Sequence, residues 1–366
     1  MTSLRILHSE AATGFGGQEH RIYKEMMAMR ERGHHMEAVC QPHALLAQRL
    51  RDAGFQVHTL PMDGTVNYLQ GVLRIRSILK AGRFDVLNTH SRRDTVLAAM
   101  AGRLAGTPLI VRTRHLANKP GSLLSYTVLP HRVTTVSDYV RNVLLKRGVN
   151  PDHVATVYSP IELPEKLASS SLRQELALGP DDIVVICVAV MRAQKGHKAL
   201  IDAIEPIIRQ RPDVHLVLVG SGSPTFEEVQ ALVQARQLGS RIHLLGTRRD
   251  VPNLLASADL FALATEHEAS GTVFVEAAAA GLPVIATDVG GVSEMLQDDV
   301  SGILVPLGNQ AALTQALQRL IEDAPLRAQM GQAGLQAVRL EGKFSLESLA
   351  RTTESCYVRW LAERQS

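Results

Sequence analysis

Three carboxylates crowd one stretch of the chain, TEHEASGTVFVEAAAAGLPV (265–284): Glu266, Glu268 and Glu276. Two acids can share work at a sugar bond, and retaining glycoside hydrolases hold such a pair roughly 5–5.5 Å apart. The spacing here argues against that use. DLFALAT reads as a strand, Ser270-Gly271 interrupts the chain, and TVFVEAAAAG has helical composition that closes at Gly281 before Pro283. Glu268 then lies in a loop and Glu276 inside a helix, and eight helical steps would set them about 12 Å apart. Carboxylates are good acceptors for hydroxyl groups, so the two acids suit separate parts of one ligand. Between them the N–H groups of Gly271, Thr272 and Val273 open a helix N-terminus, where phosphate is favoured. Glu266 falls outside this pattern. TDVGGVSEML adds a second glycine-rich helix start at Gly290-Gly291.

Other residues point to an anionic ligand. VAVMRAQKGHKAL places Arg192 and Lys195 after a strand and before a helix, where two cations fit a diphosphate. No G-x-x-x-x-G-K-[ST] loop is present. Near the N-terminus, EAATGFGGQEH sets Gly16 and Gly17 in a turn from strand to helix, the place where open α/β sheets bind ligands. It is not a dinucleotide fingerprint, because the third glycine position counted from Gly14 is Glu19. His90 and His115 end DVLNTH and PLIVRTRH, each just past a strand, and could meet a charged or sugar group. No partner for a Ser-His-Asp relay stands out.

These residues need a scaffold that brings strand ends together, and the chain has its rhythm. Apolar runs begin at LRILHS (4–9) and continue through EAVC, VHTL, DVLNTH, PLIVRT, RVTTVS and VATVY. A helical segment near Gln18 spaces Ile22, Met26 and Met29 on one face and stops at Gly33. Residues 159–182, rich in Pro and Ser, read as a linker. A second series follows: IVVICVAV, VHLVLVG, RIHLL, DLFALAT, LPVIAT and GILVP. Short apolar strands alternating with helices predict parallel sheets covered on both faces. The expected organisation is an N-terminal Rossmann-like domain over 1–165 and a second over 166–344. A C-terminal helix over 345–366, carrying the single Trp360, is expected to pack back on the first domain.

Composition narrows the function. The 366 residues are 45% hydrophobic and 20% charged, typical of a globular chain with two domains. No apolar run predicts a spanning helix, and the N-terminus lacks a secretory pattern. Three scattered cysteines show no metal-ligand spacing and fit a reducing, cytoplasmic setting. Residues 1–160 hold 21 Lys+Arg against 11 Asp+Glu, while the remainder is acidic. The basic half suits an acidic acceptor or an anionic membrane surface, and VRNVLLKRG (140–148) reads as a core helix or as a surface-bound one.

Taken together, the E-x7-E pair Glu268/Glu276, the following AAAAGLPVIATDVGG, and GFGGQEHR, NTHS and VRTRH resemble the GT-B retaining glycosyltransferases of family 4. EASGTVFVE is similar to lipopolysaccharide-core members, and the N-terminal motifs are similar to envelope-polysaccharide members. The resemblance implies two doubly wound Rossmann-like domains facing a central cleft. It places Gly16 and Gly17 beside the donor phosphate and His115 near the transferred sugar. Arg192 and Lys195 would meet the diphosphate, Glu268 the donor sugar, Gly271 to Val273 the phosphate through their N–H groups, and Glu276 the ribose. It implies no metal and no cofactor beyond a nucleotide diphosphate sugar. Two departures stand out: Val190 occupies the position where many members carry the arginine, and Ala269-Ser270-Gly271 replaces the common Gly-Phe-Gly.

The expected activity is transfer of a sugar, from a UDP or GDP donor, to a hydroxyl of a glycan or glycolipid, with retention. Cleft closure would exclude water, and no nucleic-acid partner is expected. Three alternatives stay open: a GT-B sugar-nucleotide epimerase or hydrolase, a nicotinamide oxidoreductase, and a sugar-binding module without turnover.

Overall fold

The computed structural model describes residues 3–162 and 170–365. It divides into one unit of Met1–Pro160 with Lys343–Ser366, and another of Ile161–Gly342. The expected boundary at 165/166 lies outside the described residues.

The first unit holds seven strands: β1 (Arg5–Glu10), β2 (His35–Cys40), β3 (Gln56–Thr59), β4 (Val86–Thr89), β5 (Leu109–Arg114), β6 (Arg132–Thr135) and β7 (Val154–Thr156). They form one parallel sheet in the order β3-β2-β1-β4-β5-β6-β7. Successive strand residues point to opposite faces, and the two cores follow that rule. Ile6, Val86 and Val111 pack with Ile22, Met26 and Met29 of the helix Gly17–Glu31 and with Tyr357 and Trp360 of the helix Leu346–Gln365. Leu7, Leu87 and Ile110 pack on the other face, with Ile75 and Leu79 of Thr65–Gly82 and Leu97 of Arg92–Ala105.

The second unit holds β8 (Ile183–Val188), β9 (Val214–Val219), β10 (Ile242–Gly246), β11 (Leu260–Leu263), β12 (Val284–Thr287) and β13 (Gly302–Val305). These too are parallel, in the order β10-β9-β8-β11-β12-β13. The two apolar series in the sequence thus become two Rossmann-like sheets. The stretch 140–148 settles as the end of a short helix, Asp138–Leu145, with Val140 and Leu144 fully buried.

Trp360 is 1% exposed and, with Tyr357 of the same helix, sits in a core built mostly by the first strands and helices of the chain. Trp360→Ala should cost about 3–5 kcal/mol through lost contacts and the cavity left behind. A lowered urea midpoint checks this.

Candidate active site

Strand order decides where a ligand can sit in the second unit. β8 lies between β9 and β11, so the connections leaving β8 and β11 run to opposite sides and open a crevice at their carboxyl ends. Lys195 follows β8 and Glu268 follows β11. Lys195 Nζ lies 2.6 Å from Glu268 Oε2, with the two side chains 22% and 14% exposed. The second carboxylate oxygen accepts the Ala269 N–H at 3.2 Å.

The loops bearing this pair are stitched by backbone contacts. The Glu266 N–H and the Thr265 hydroxyl both donate to the Gln194 carbonyl, at 2.8 and 3.2 Å. Gly196 follows a single 3-10 turn, Ala193–Lys195, at φ +68°, and a Cβ there would lie 1.9 Å from the Ala264 carbonyl oxygen. Gly290, at φ +60°, would put a Cβ 1.9 Å from the Glu268 carbonyl oxygen, which also accepts the Gly291 N–H at 3.1 Å. Only glycine fits such a left-handed, close approach. The expected helix start at Gly290-Gly291 is therefore corrected: only the 3-10 turn Val292–Glu294 follows, and the glycines hold the Glu268 backbone.

Gly271 caps the helix Thr272–Ala279. Phe274, Val275 and Ala277 to Ala279 are buried, which leaves Thr272, Val273 and Glu276 partly exposed within one turn. The first N–H groups of a helix have no partner within it, so the outer face offers donors at one end and a carboxylate further along. The Ser270 hydroxyl is buried without a partner among the described residues. Arg192 is exposed and forms no ion pair among the described residues. Val190 is 53% exposed. Glu266 contributes its backbone to the stitching, while its side chain faces solvent. A cation, a carboxylate and a helix opening on adjacent loops can together bind an anion that also bears hydroxyl groups.

In the first unit the strand order reverses between β1 and β4. Gly16 caps the helix that begins at Gly17, and its N–H donates to Glu19 Oε2 at 2.7 Å. Both glycines are exposed, and a Cβ on Gly17 would meet nothing within 4 Å. Internal packing does not demand glycine at 17. His90 and His115 do come together, with His90 Nδ1 3.0 Å from His115 Nε2.

Several buried polar groups beside them escaped the sequence reading. Glu10 is 1% exposed and accepts the Ala12 N–H at 2.8 Å. Burial first, and then the neighbouring Asp94 charge, push its carboxyl up to about 8. Asp94 accepts the N–H groups of His90 and Ser91, at 2.9 and 2.7 Å, and so holds the turn that carries His90. Burial raises its carboxyl to about 6. The signal was available in the alternation. His8/Glu10, Asn88/His90 and Thr113/His115 continue the faces of Ile6, Val86 and Val111, where a buried strand should stay apolar. Among the described residues, no group of three or more His, Cys, Asp or Glu is placed to hold a metal ion.

Glu10 predicts a pH effect. Its carboxyl titrates near 4.5 when free and near 8 in the fold, so the folded chain holds the extra proton between those values. This contribution is fully present below about 4.5 and is lost as pH rises through about 8. Glu10→Gln keeps the neutral form and should flatten that decline. Wild-type Tm should fall relative to the variant by roughly 2–4 °C per kcal/mol lost, as melting curves across this range would record.

Comparison with known proteins places the chain. Residues 15–164 match the model described as Glycosyltransferase Family 4, and residues 169–337 match Glycosyl transferases group 1. The phosphatidyl-myo-inositol mannosyltransferase of Mycobacterium leprae is 31% identical over 88% of this chain and 88% of that protein. The UDP-Gal:alpha-D-GlcNAc-diphosphoundecaprenol alpha-1,3-galactosyltransferase of Escherichia coli is 24% identical over 89% and 90%. The crystal structure of Anabaena HepE in complex with UDP aligns with a TM-score of 0.84 at 21% identity, covering 97% of this chain and 100% of that one, and shares its fold. With both units matched and each built on a parallel Rossmann-like sheet, this chain belongs to the family 4 glycosyltransferases of the GT-B fold.

Proposed function

We propose that the protein transfers a hexose from a nucleotide diphosphate sugar to a hydroxyl of an envelope glycan or glycolipid, retaining the anomeric configuration. The observation that carries this reading is the Lys195–Glu268 pair at the strand reversal, one loop away from the opening of the Thr272–Ala279 helix. Arg192 and Lys195 meet the diphosphate, together with the N–H groups of Gly271, Thr272 and Val273. Glu268 accepts from the donor sugar, and Glu276, further along the same helix, accepts from the ribose. UDP bound to a relative of the same fold supports a uridine donor, with GDP as the other candidate. The first unit contributes the Gly16-Gly17 turn to the donor phosphate and His115 to the transferred sugar.

The chemistry follows from charge. The acceptor oxygen attacks the anomeric carbon on the face that the diphosphate leaves, and its proton passes to a diphosphate oxygen. Negative charge grows on the leaving group, and cations and N–H groups already in place stabilise it without reorganisation. The protein's own cations supply that counter-charge in this reading, and no metal is assigned a part. Lys195→Ala or Glu276→Ala each removes a charged hydrogen bond, an effect of about 1.5–3 kcal/mol. Calorimetry should then show nucleotide-sugar affinity roughly 10- to 100-fold weaker, and unchanged affinity in both variants removes the assignment. Product analysis with and without acceptor separates transfer from epimerisation or hydrolysis.

A glycolipid acceptor calls for a membrane surface. Two of the relatives described above carry lipid acceptors in their names. No helix among the described residues is long and apolar enough to cross a membrane. The helix Thr65–Gly82, however, turns Val66, Leu69 and Leu73 outward, 68%, 63% and 64% exposed, with Lys80 further along the same side and Arg74 exposed on the adjoining one. Apolar side chains beside cations fit peripheral binding to anionic lipid. Leu69→Glu with Leu73→Glu should abolish co-sedimentation with phosphatidylglycerol vesicles and leave melting unchanged.

A further inference from the structure

A row of three imidazoles crosses the middle of the first sheet. His8 lies within β1, His90 directly follows β4, and His115 directly follows β5. His8 Nδ1 is 2.9 Å from His90 Nε2, and His90 Nδ1 is 3.0 Å from His115 Nε2. The rings of His8 and His90 stack, with centroids 5.1 Å apart and planes 13° from parallel. His8 and His90 are 1% and 3% exposed, while His115 reaches the rim and is only partly buried.

The two contacts commit the four nitrogens that make them. Burial makes all three rings harder to protonate, and the Arg21 guanidinium adds to that, so each stays neutral. A neutral imidazole has one N–H and one lone pair. Only two arrangements then satisfy both contacts. Either all three protons sit on Nδ1, every ring donates toward the rim, and His115 presents an N–H outward. Or all three sit on Nε2, every ring donates inward, and His115 presents a lone pair. Any mixture sets two N–H groups or two lone pairs face to face at about 3 Å.

The buried end has its own bias. His8 Nε2 is buried without a partner among the described residues. Glu25 and Arg21, themselves paired at 2.5 Å, act on His8 in opposite senses. The turn bearing His90 is fixed by Asp94. The row therefore runs from a buried ion pair to a ring nitrogen at the rim.

We propose that His8 and His90 are positioning residues that set the tautomer and orientation of His115, and so decide whether its outward Nδ1 donates to or accepts from a substrate hydroxyl. The proposal rests on the reading that His115 meets the transferred sugar. A tautomer chosen two rings away is a matter of geometry, and its consequence is a matter of turnover, so the two can be measured apart.

The test uses the full-length protein labelled with 15N-histidine, in wild type, His90→Phe and His8→Leu. His90→Gln, which leaves an amide in the gap, is the second variant at that position if the phenylalanine form does not fold. In wild type the His115 imidazole nitrogens should report one neutral tautomer. Both variants should mix the two tautomers at His115, although His8 does not touch it. Turnover should fall roughly tenfold, the size expected when one well-directed hydrogen bond to the substrate is lost. Nucleotide affinity, assigned to Lys195, Glu276 and the Gly16-Gly17 turn that these substitutions leave in place, should stay as in wild type. His115 signals that are unchanged in both variants overturn the proposal. Signals that shift while turnover holds confirm the row and instead remove His115 from the substrate.

Discussion

Reversal of strand order beside β8 is the constraint on which the second unit's chemistry depends. A parallel sheet must send its crossovers to one face or the other. Where consecutive connections part, the sheet has no covering at the carboxyl ends of two neighbouring strands. Lys195 and Glu268 stand on those two ends, 73 residues apart in the chain and 2.6 Å apart in space. No local feature of either loop would bring them together without that order. The first sheet repeats the arrangement between β1 and β4, and there too the polar groups collect: Glu10 at the end of one reversal strand, His90 and Asp94 after the other.

Openings of this kind have to be held open, and glycine does much of that holding. At Gly196 and Gly290 the neighbouring carbonyl oxygens come where a side chain would begin. The loops after β8, β11 and β12 are thereby locked to one another at main-chain atoms, and the Thr265 and Thr287 hydroxyls add side-chain contacts to neighbouring carbonyls. Side chains in the crevice are then left for a ligand. In the first unit a different device serves. Carboxylates and imidazoles are buried at a cost, and partly repaid by N–H groups of the turns they organise, as Asp94 shows with His90 and Ser91.

Much of this was legible in the sequence, for physical reasons. Central strands such as β5, β8 and β9, buried on both faces, leave continuous apolar runs, which is why they announce themselves in the sequence. The Ser270-Gly271 break before an alanine-rich run placed Glu268 in a loop and Glu276 in a helix, and both lie there. What the sequence could not carry was proximity. Pairing of Lys195 with Glu268 needs the strand order, and the role of Gly290 needs the position of the Glu268 carbonyl. Gly290-Gly291 looked like a helix start because glycine marks tight turns of many kinds. His8 and Glu10 were overlooked because LRILHS reads as one apolar strand, although its second half is polar on the face that should be driest.

The ion pair in the crevice has a bearing on selectivity. Lys195 and Glu268 satisfy each other, so the pair is neutral as a unit. An inorganic anion that recruited the lysine would leave a partly buried carboxylate facing it without a cation, and that repulsion offsets the gain. A molecule that brings an anion to the lysine and hydroxyl hydrogens to the glutamate replaces both halves of the pair at once. In the proposed reading, the closed pair therefore favours a compound ligand over an inorganic anion alone.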